Sequence, residues 1–362
     1  MTLLTAGDRV IVRLPGWLGD FIMAEPVVRA LHDAMLVAGA PATPGAVTLA
    51  GPARLLALFE GRFPAAARLP VNGRESWRDY RGFDVALFLN GALHSPISAW
   101  RAGVPRRVGW GSGGRALFLT EALRPAREAG GVPVGLGTKG RWPRRLPRPF
   151  GAACLELAGV LGLGVRERRP ELVPSAAAVR EVEERIARAG LGDGERCLVA
   201  SVGAREDSAK GFPVAHWVRV LDGLHERFGL PVFALCGPGE EEWAHAVGSG
   251  VAHARVIPVV EPPADLRELT AWCARAELFL SADGGPRHVA EAVGTRQVVV
   301  FGPTDPRHTS EHGELQHTVR IDVPCGPCHR ERCPLTGSDH HVCMTGIDPE
   351  RVVLAAARAL GR

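Results

Sequence analysis

Runs of β-branched and aliphatic residues ending in glycine or proline alternate along this chain with stretches whose apolar residues recur about every three or four positions. Arg9–Leu14 reads as a strand closing at Pro15-Gly16, and an apolar helical pattern begins near Asp20. In that helix Phe21, Ile22, Ala24, Val27, Val28 and Leu31 share a buried side, and Pro26 predicts an irregular start or a restart. Ala46–Ala50 reads as a second strand, Arg54–Phe59 as a short helix, Val85–Leu89 as an apolar buried parallel strand, and Ser95–Ala102 as a helix. Arg107–Trp110 is a further short strand. A Gly- and Pro-rich stretch without periodicity then runs to Pro149, and Phe150–Leu163 resumes helical spacing.

The segment from 166 to 175, with two prolines and a charge cluster, reads as a linker, after which the alternation repeats. Helices are predicted over Ala176–Ala189, Val214–Phe228, Glu240–Val247, Ala264–Ala274 and Pro286–Val293, and strands over Cys197–Val202, Pro231–Cys236, Arg255–Val260, Leu278–Ala282 and Gln297–Phe301. Strands separated by helices mean right-handed crossovers in mainly parallel sheets, hence an α/β fold. The 362 residues suit two such domains, 1–170 and 171–345. A last helix, Pro349–Leu360, is expected to pack back on the domain junction.

Charge changes this picture little. Lys and Arg number 43 against 39 Asp and Glu, and a net +4 gives no reason to expect a nucleic-acid partner. The densest basic run, 139–148, carries Arg141, Arg144, Arg145 and Arg148 among prolines; it reads as a solvated loop or as a contact for an anionic acceptor or lipid headgroup. No secretory pattern opens the chain, and no run of about 18 apolar residues occurs, so a cytoplasmic protein is expected, with peripheral contact at the inner membrane surface left open.

Chemistry concentrates where strands end. Leu14 to Asp20 leaves the first strand at the edge where open α/β sheets bind ligands, and its spacing is not that of a dinucleotide fingerprint. Asp20 reads either as a helix N-cap or as a general base. Ser281 to His288 leaves a buried strand and opens a helix at Pro286, whose amides suit phosphate; an ordinary capped turn is the bland alternative. Gly302-Pro303-Thr304-Asp305-Pro306 ends the next strand on the same edge. Ser201 to Pro213 includes Gly203 and Lys210, the lysine being a solvated charge or a cation for a diphosphate. Carboxylates following Cys236-Gly237-Pro238-Gly239, Glu241 among them, either bind ribose hydroxyls or serve the helix dipole.

Together these segments resemble glycosyltransferase family 9, the ADP-heptose:lipopolysaccharide heptosyltransferases, over nearly the whole chain. The resemblance is carried by Arg13-Leu14-Pro15-Gly16-Trp17-Leu18-Gly19-Asp20, Lys210-Gly211-Phe212-Pro213, Asp283-Gly284-Gly285-Pro286-Arg287-His288 and Phe301-Gly302-Pro303-Thr304-Asp305-Pro306. It implies the GT-B architecture, two Rossmann-like domains facing across a cleft, with the lipid-linked saccharide acceptor on the first and the nucleotide sugar on the second. It further implies inverting transfer with no cofactor required for catalysis. Asp20 then falls at the family's base, and Gly19, Arg141, Arg144 and Arg145 go with the acceptor. Lys210 serves catalysis and the donor phosphates, joined on the donor side by Gly203, Glu241, Asp283, Gly284, Gly285, His288 and Thr304. Two departures stand out: Gly284 where relatives often carry Ser or Thr, and Arg287 where Met or Leu is frequent, either able to alter donor preference.

Cys325-x2-Cys328-x4-Cys333-x9-Cys343, with His329, His340 and His341 nearby, has spacing compatible with a structural zinc site, with an iron–sulfur cluster or with free thiols. Cys154, Cys197, Cys236 and Cys273 lie in apolar stretches and read as core. Two other functional classes stay open from sequence: a sugar-nucleotide epimerase or hydrolase on the same fold, and a non-catalytic binding or metal-sensing module.

Overall fold

The computed structural model describes residues 4–5, 7–37, 46–124, 147–165, 167–205, 208–310 and 313–361. The described residues up to Leu172 form one compact unit and those from Val173 another.

In the first unit, β1 (Val10–Arg13) is followed by α1 (Leu18–Met23) and α2 (Glu25–Val37). Pro26 acts as expected: the helix stops at Met23 and restarts at Glu25, where a residue lacking N–H sits in a first turn that has no acceptor for it. Then come β2 (Val47–Gly51), α3 (Ala53–Leu56), β3 (Ala67–Pro70), β4 (Val85–Phe88), α4 (His94–Arg101), β5 (Arg106–Trp110), β6 (Glu121–Leu123) and α5 (Phe150–Val160). The sheet order is β3-β2-β1-β4-β5-β6, all parallel. Every residue of β1, β2 and β4 is buried, as strands covered by helices on both faces must be.

The second unit contains α6 (Ala176–Arg188), β7 (Leu198–Ser201), α7 (Val214–Phe228), β8 (Val232–Leu235), α8 (Glu241–Gly250), β9 (Val256–Val259), α9 (Leu266–Arg275), β10 (Leu278–Ala282), α10 (Gly285–Val293), β11 (Gln297–Val300), β12 (Gln316–Val319), α11 (Val342–Thr345) and α12 (Pro349–Ala359). Its order, β12-β11-β10-β7-β8-β9, repeats that of the first sheet, again with parallel pairs. Trp217 on α7 and Trp272 on α9 are fully buried, and Trp272 stacks on Phe233 with ring centroids 4.7 Å apart. The last helix, α12, packs on α7 and beside β11 and β12 within its own unit.

Each sheet reverses its winding direction between the first and fourth strands of its unit, β1/β4 and β7/β10. The crevice beyond the carboxyl ends of such a pair is where open α/β sheets hold ligands.

Candidate functional site

In the second unit the predicted donor segments converge at that crevice. β7 and β10 are hydrogen-bonded neighbours with Ser201 opposite Ser281, so the loop carrying Lys210 and the turn carrying Asp283 leave the sheet side by side. Lys210 Nζ lies 3.1 Å from Asp283 Oδ2, and Thr304 Oγ1 donates to the same oxygen at 2.7 Å. The other carboxylate oxygen accepts from Arg287 Nε at 2.8 Å. Burial by itself would raise the Asp283 carboxyl. The charges of Arg287 and Lys210 and the hydrogen bonds outweigh burial and hold the group well below the usual carboxylate range. Asp283 is therefore a fixed anion that organises cations and hydroxyls, and it is unsuited to trading protons at neutral pH. The Lys210 side chain stays 43% exposed, so its amine reaches solvent while one side rests on Asp283.

Gly284 caps α10 with extended backbone, and Gly285 is the first helical residue, so the first amides of α10 start beside Asp283. A side chain at 284 would meet only ordinary contacts, 3.6 Å from the Pro286 ring and 3.9 Å from the Ala282 carbonyl. The fold does not demand glycine there. Gly203 is different: a Cβ would come within 3.0 Å of the Cys236 backbone and would collide with the Glu240 carboxylate. Glu240 turns back to accept the Gly237 N–H at 2.9 Å, and so stands against Gly203. Glu241 instead sits in the first turn of α8, its carboxyl lowered by hydrogen bonds from the Gly239 and Glu241 amides.

Two residues of the late motif face inward. Arg287 is fully buried; besides Asp283 it donates to Gln316 Oε1 at 3.2 Å and the Thr309 carbonyl at 3.1 Å, and it lies 5.3 Å from the Phe301 ring centre. Arg287 thus braces the Asp283 turn from inside the unit. His288 is also buried, with Nδ1 3.7 Å from Glu291 Oε2, and desolvation followed by the Arg287 charge keeps the imidazole neutral.

In the first unit Asp20 is the third residue of α1, half-buried, in the turn where the helix dipole favours a carboxylate. It is not the N-cap; Trp17 holds that position with extended backbone and no side-chain cap. Gly19 precedes Asp20 in the same turn, and Trp17 is 64% exposed. Arg141, Arg144 and Arg145 lie outside the described residues, while Arg148 pairs with Glu156. The β1/β4 crevice also contains a cluster that the sequence reading missed. Glu75 is a buried carboxylate paired with Arg13 at the end of β1, contacted by His94 at 2.5 Å, and bonded by Ser95 Oγ at 3.1 Å. Its loop has no periodicity, and only the burial of opposite charges together identifies it.

Cys325, Cys328, Cys333 and Cys343 are free thiols, and the four core cysteines are buried as expected. Cys343 is pushed up to about 11 by burial first and then by Cys325, Cys328 and Cys333, so these thiols are neighbours. Yet among the described residues no three His, Cys, Asp or Glu side chains are grouped so as to hold a metal ion.

Two parallel α/β units of identical strand order give a GT-B-like two-domain fold. The family model "Glycosyltransferase family 9 (heptosyltransferase)" matches residues 160–338. Lipooligosaccharide heptosyltransferase 2 of Campylobacter jejuni is 27% identical over 172 residues, 47% of this chain and 53% of that protein. The chain thus spans about half the length of the first curated relatives it matches. Lipopolysaccharide heptosyltransferase 2 of Salmonella typhimurium is 24% identical, over 95% of this chain and 96% of the relative. The solved structure of E. coli ADP-heptose lps heptosyltransferase II is similar in fold, with TM-score 0.69, 19% identity, and coverage of 97% of this chain and 98% of that one. Residues 160–338 of the chain belong to glycosyltransferase family 9.

Proposed function

We propose that this protein is an inverting glycosyltransferase that moves a heptose from a nucleoside-diphosphate donor, ADP-heptose, to a lipopolysaccharide-core or related glycolipid acceptor. The carrying observation is the Lys210–Asp283–Thr304 cluster beside the start of α10, at the β7/β10 switch point. Transfer from a nucleotide sugar leaves a diphosphate whose negative charge grows in the transition state. A lysine pinned by a permanently ionised partner, together with helix amides, is preorganised to meet that charge.

In this reading Gly203 and Glu241 border the nucleotide, and Gly284 and Gly285 approach the diphosphate. Asp20 accepts the proton of the acceptor hydroxyl as its oxygen attacks the anomeric carbon from the face opposite the nucleotide. The new carbon–oxygen bond forms as the bond to the diphosphate breaks, so configuration inverts. Charge neutralisation falls to Lys210 and the amides, and the reading needs no metal for the chemical step. A structural zinc at the four cysteines would have to draw them together; metal analysis of the purified protein decides it. No described helix is long and apolar enough to cross a membrane, and the proposed site of action is the cytoplasmic face of the inner membrane.

The test measures release of ADP from ADP-heptose with and without lipid-linked acceptor. Acceptor-dependent release that disappears in Asp20→Ala supports the reading. Donor turnover at an undiminished rate without acceptor would replace it, with hydrolase chemistry if ADP is released and with epimerase chemistry if the sugar changes while still joined to ADP.

A further inference from the structure

The cysteine-rich segment touches the donor cluster at two backbone positions, each immediately before a residue that binds Asp283. Ala209, preceding Lys210, is gripped twice: its N–H donates to the Glu331 carbonyl at 2.8 Å, and its carbonyl lies 2.7 Å from His341 Nε2. A carbonyl only accepts, so His341 carries its proton on Nε2 and donates it. Pro303, preceding Thr304, accepts the His329 N–H at 2.8 Å. Among the described residues the non-glycine positions with left-handed backbone are His329, at φ 54°, and His341, at φ 59°. That conformation is unfavourable for a residue with a Cβ and persists only where the surroundings fix it. Here the Cys333 thiol accepts the His341 N–H at 3.2 Å, while Cys343 and Met344 pack so closely on Gly302 that a Cβ there would collide with the Met344 sulfur.

We propose that the segment from Cys325 to Cys343 is the positioning element of the donor site, with His341 as the residue that sets the Lys210 loop. Lys210 and Thr304 come from loops 94 residues apart, and the sheet alone fixes only where those loops begin. The strap holds the residue ahead of each, so both side chains arrive on one carboxylate oxygen. His341 is a positioning residue: it acts through the Ala209 carbonyl and need not touch the donor. The inference deepens the proposed function and rests on it for its effect on ligand, while its structural part stands alone.

The experiment compares wild type with His341→Ala, His341→Gln and Lys210→Ala, using ADP titration calorimetry and backbone hydrogen exchange over residues 208–212 without ligand. His341→Ala is expected to exchange faster over 208–212 and to bind ADP roughly three- to tenfold more weakly, the loss of one hydrogen bond's worth of order. Glutamine, whose amide can donate to the same carbonyl, is expected to restore both. If alanine fails to fold, His341→Met supplies similar volume without a donor. Unchanged exchange over 208–212 in the variant lacking a donor overturns the proposal. ADP affinity indifferent to Lys210→Ala would instead sink the donor reading, with the exchange result still deciding the positioning claim.

Discussion

Lys210 and Asp283, 73 residues apart in sequence, meet at 3.1 Å because β7 and β10 are adjacent in the sheet. The two partners differ in what they can lose. Lys210 is 43% exposed, and a surface ion pair contributes at most about 1 kcal/mol. Lys210→Ala is therefore expected to leave thermal stability nearly unchanged while lowering kcat/KM for the donor roughly a hundredfold, the scale of removing one preorganised charge-stabilising donor. Asp283→Asn strands the fully buried Arg287 guanidinium and is expected to destabilise the fold by about 3 kcal/mol or more. Parallel denaturant titrations and donor kinetics on both variants check this; equal stability losses would contradict it.

Gly203→Ala tests how closely the ends of β7 and β8 approach. The new methyl meets the Cys236 backbone, which does not swing aside as a long side chain would. Overpacking of this kind costs about 1–3 kcal/mol, read as a lower denaturant midpoint at unchanged slope. A midpoint equal to wild type would mean that the two loops separate freely.

At Gly284 the opposite outcome is expected. Backbone there is extended and the contacts awaiting a side chain are ordinary, so Gly284→Thr should leave stability within about 0.5 kcal/mol of wild type. The added hydroxyl stands beside the first amides of α10, and donor affinity measured by calorimetry should change. A large stability loss without any change in affinity would show that position 284 is structural.

The buried strands were legible in the sequence because their residues are nearly all apolar, and the helices because their apolar positions recur on one side. β3, β6 and β12 were not. Each is three or four residues long, lies at a sheet edge, and is half-exposed over most of its length, so no period has room to appear. Strand-end motifs and the family resemblance group Lys210, Asp283 and Thr304 on the donor side, whereas the meeting of Lys210 and Thr304 on one Asp283 oxygen is visible only in the structure. Arg287 and Glu75 were harder still: a charged residue in sequence looks solvated until its buried partner is seen. Asp20 was singled out, while the backbone, through Trp17, decided that it is not the cap.

Glu25 gives a pH prediction that leaves the donor site untouched. Its carboxylate is buried at the restart of α2, where Oε2 accepts the Glu171 N–H at 3.1 Å and lies 3.2 Å from Arg29, while Oε1 lacks a hydrogen bond and has Arg62 at 3.6 Å. Burial outweighs the attraction of Arg29 and Arg62 and raises the group from 4.5 to about 7. The folded state therefore holds this proton more tightly than the unfolded chain. The resulting stabilisation is complete below the unfolded value of 4.5 and is lost as pH rises through about 7. Glu25→Gln keeps an acceptor for the Glu171 amide and removes the titration. Its stability relative to wild type should rise between pH 5 and pH 8, by an amount on the order of 2 kcal/mol. Urea titrations of both proteins at the two pH values supply the comparison. A difference that is constant across that window, or that runs the other way, would mean that Arg29 and Arg62 keep Glu25 ionised throughout.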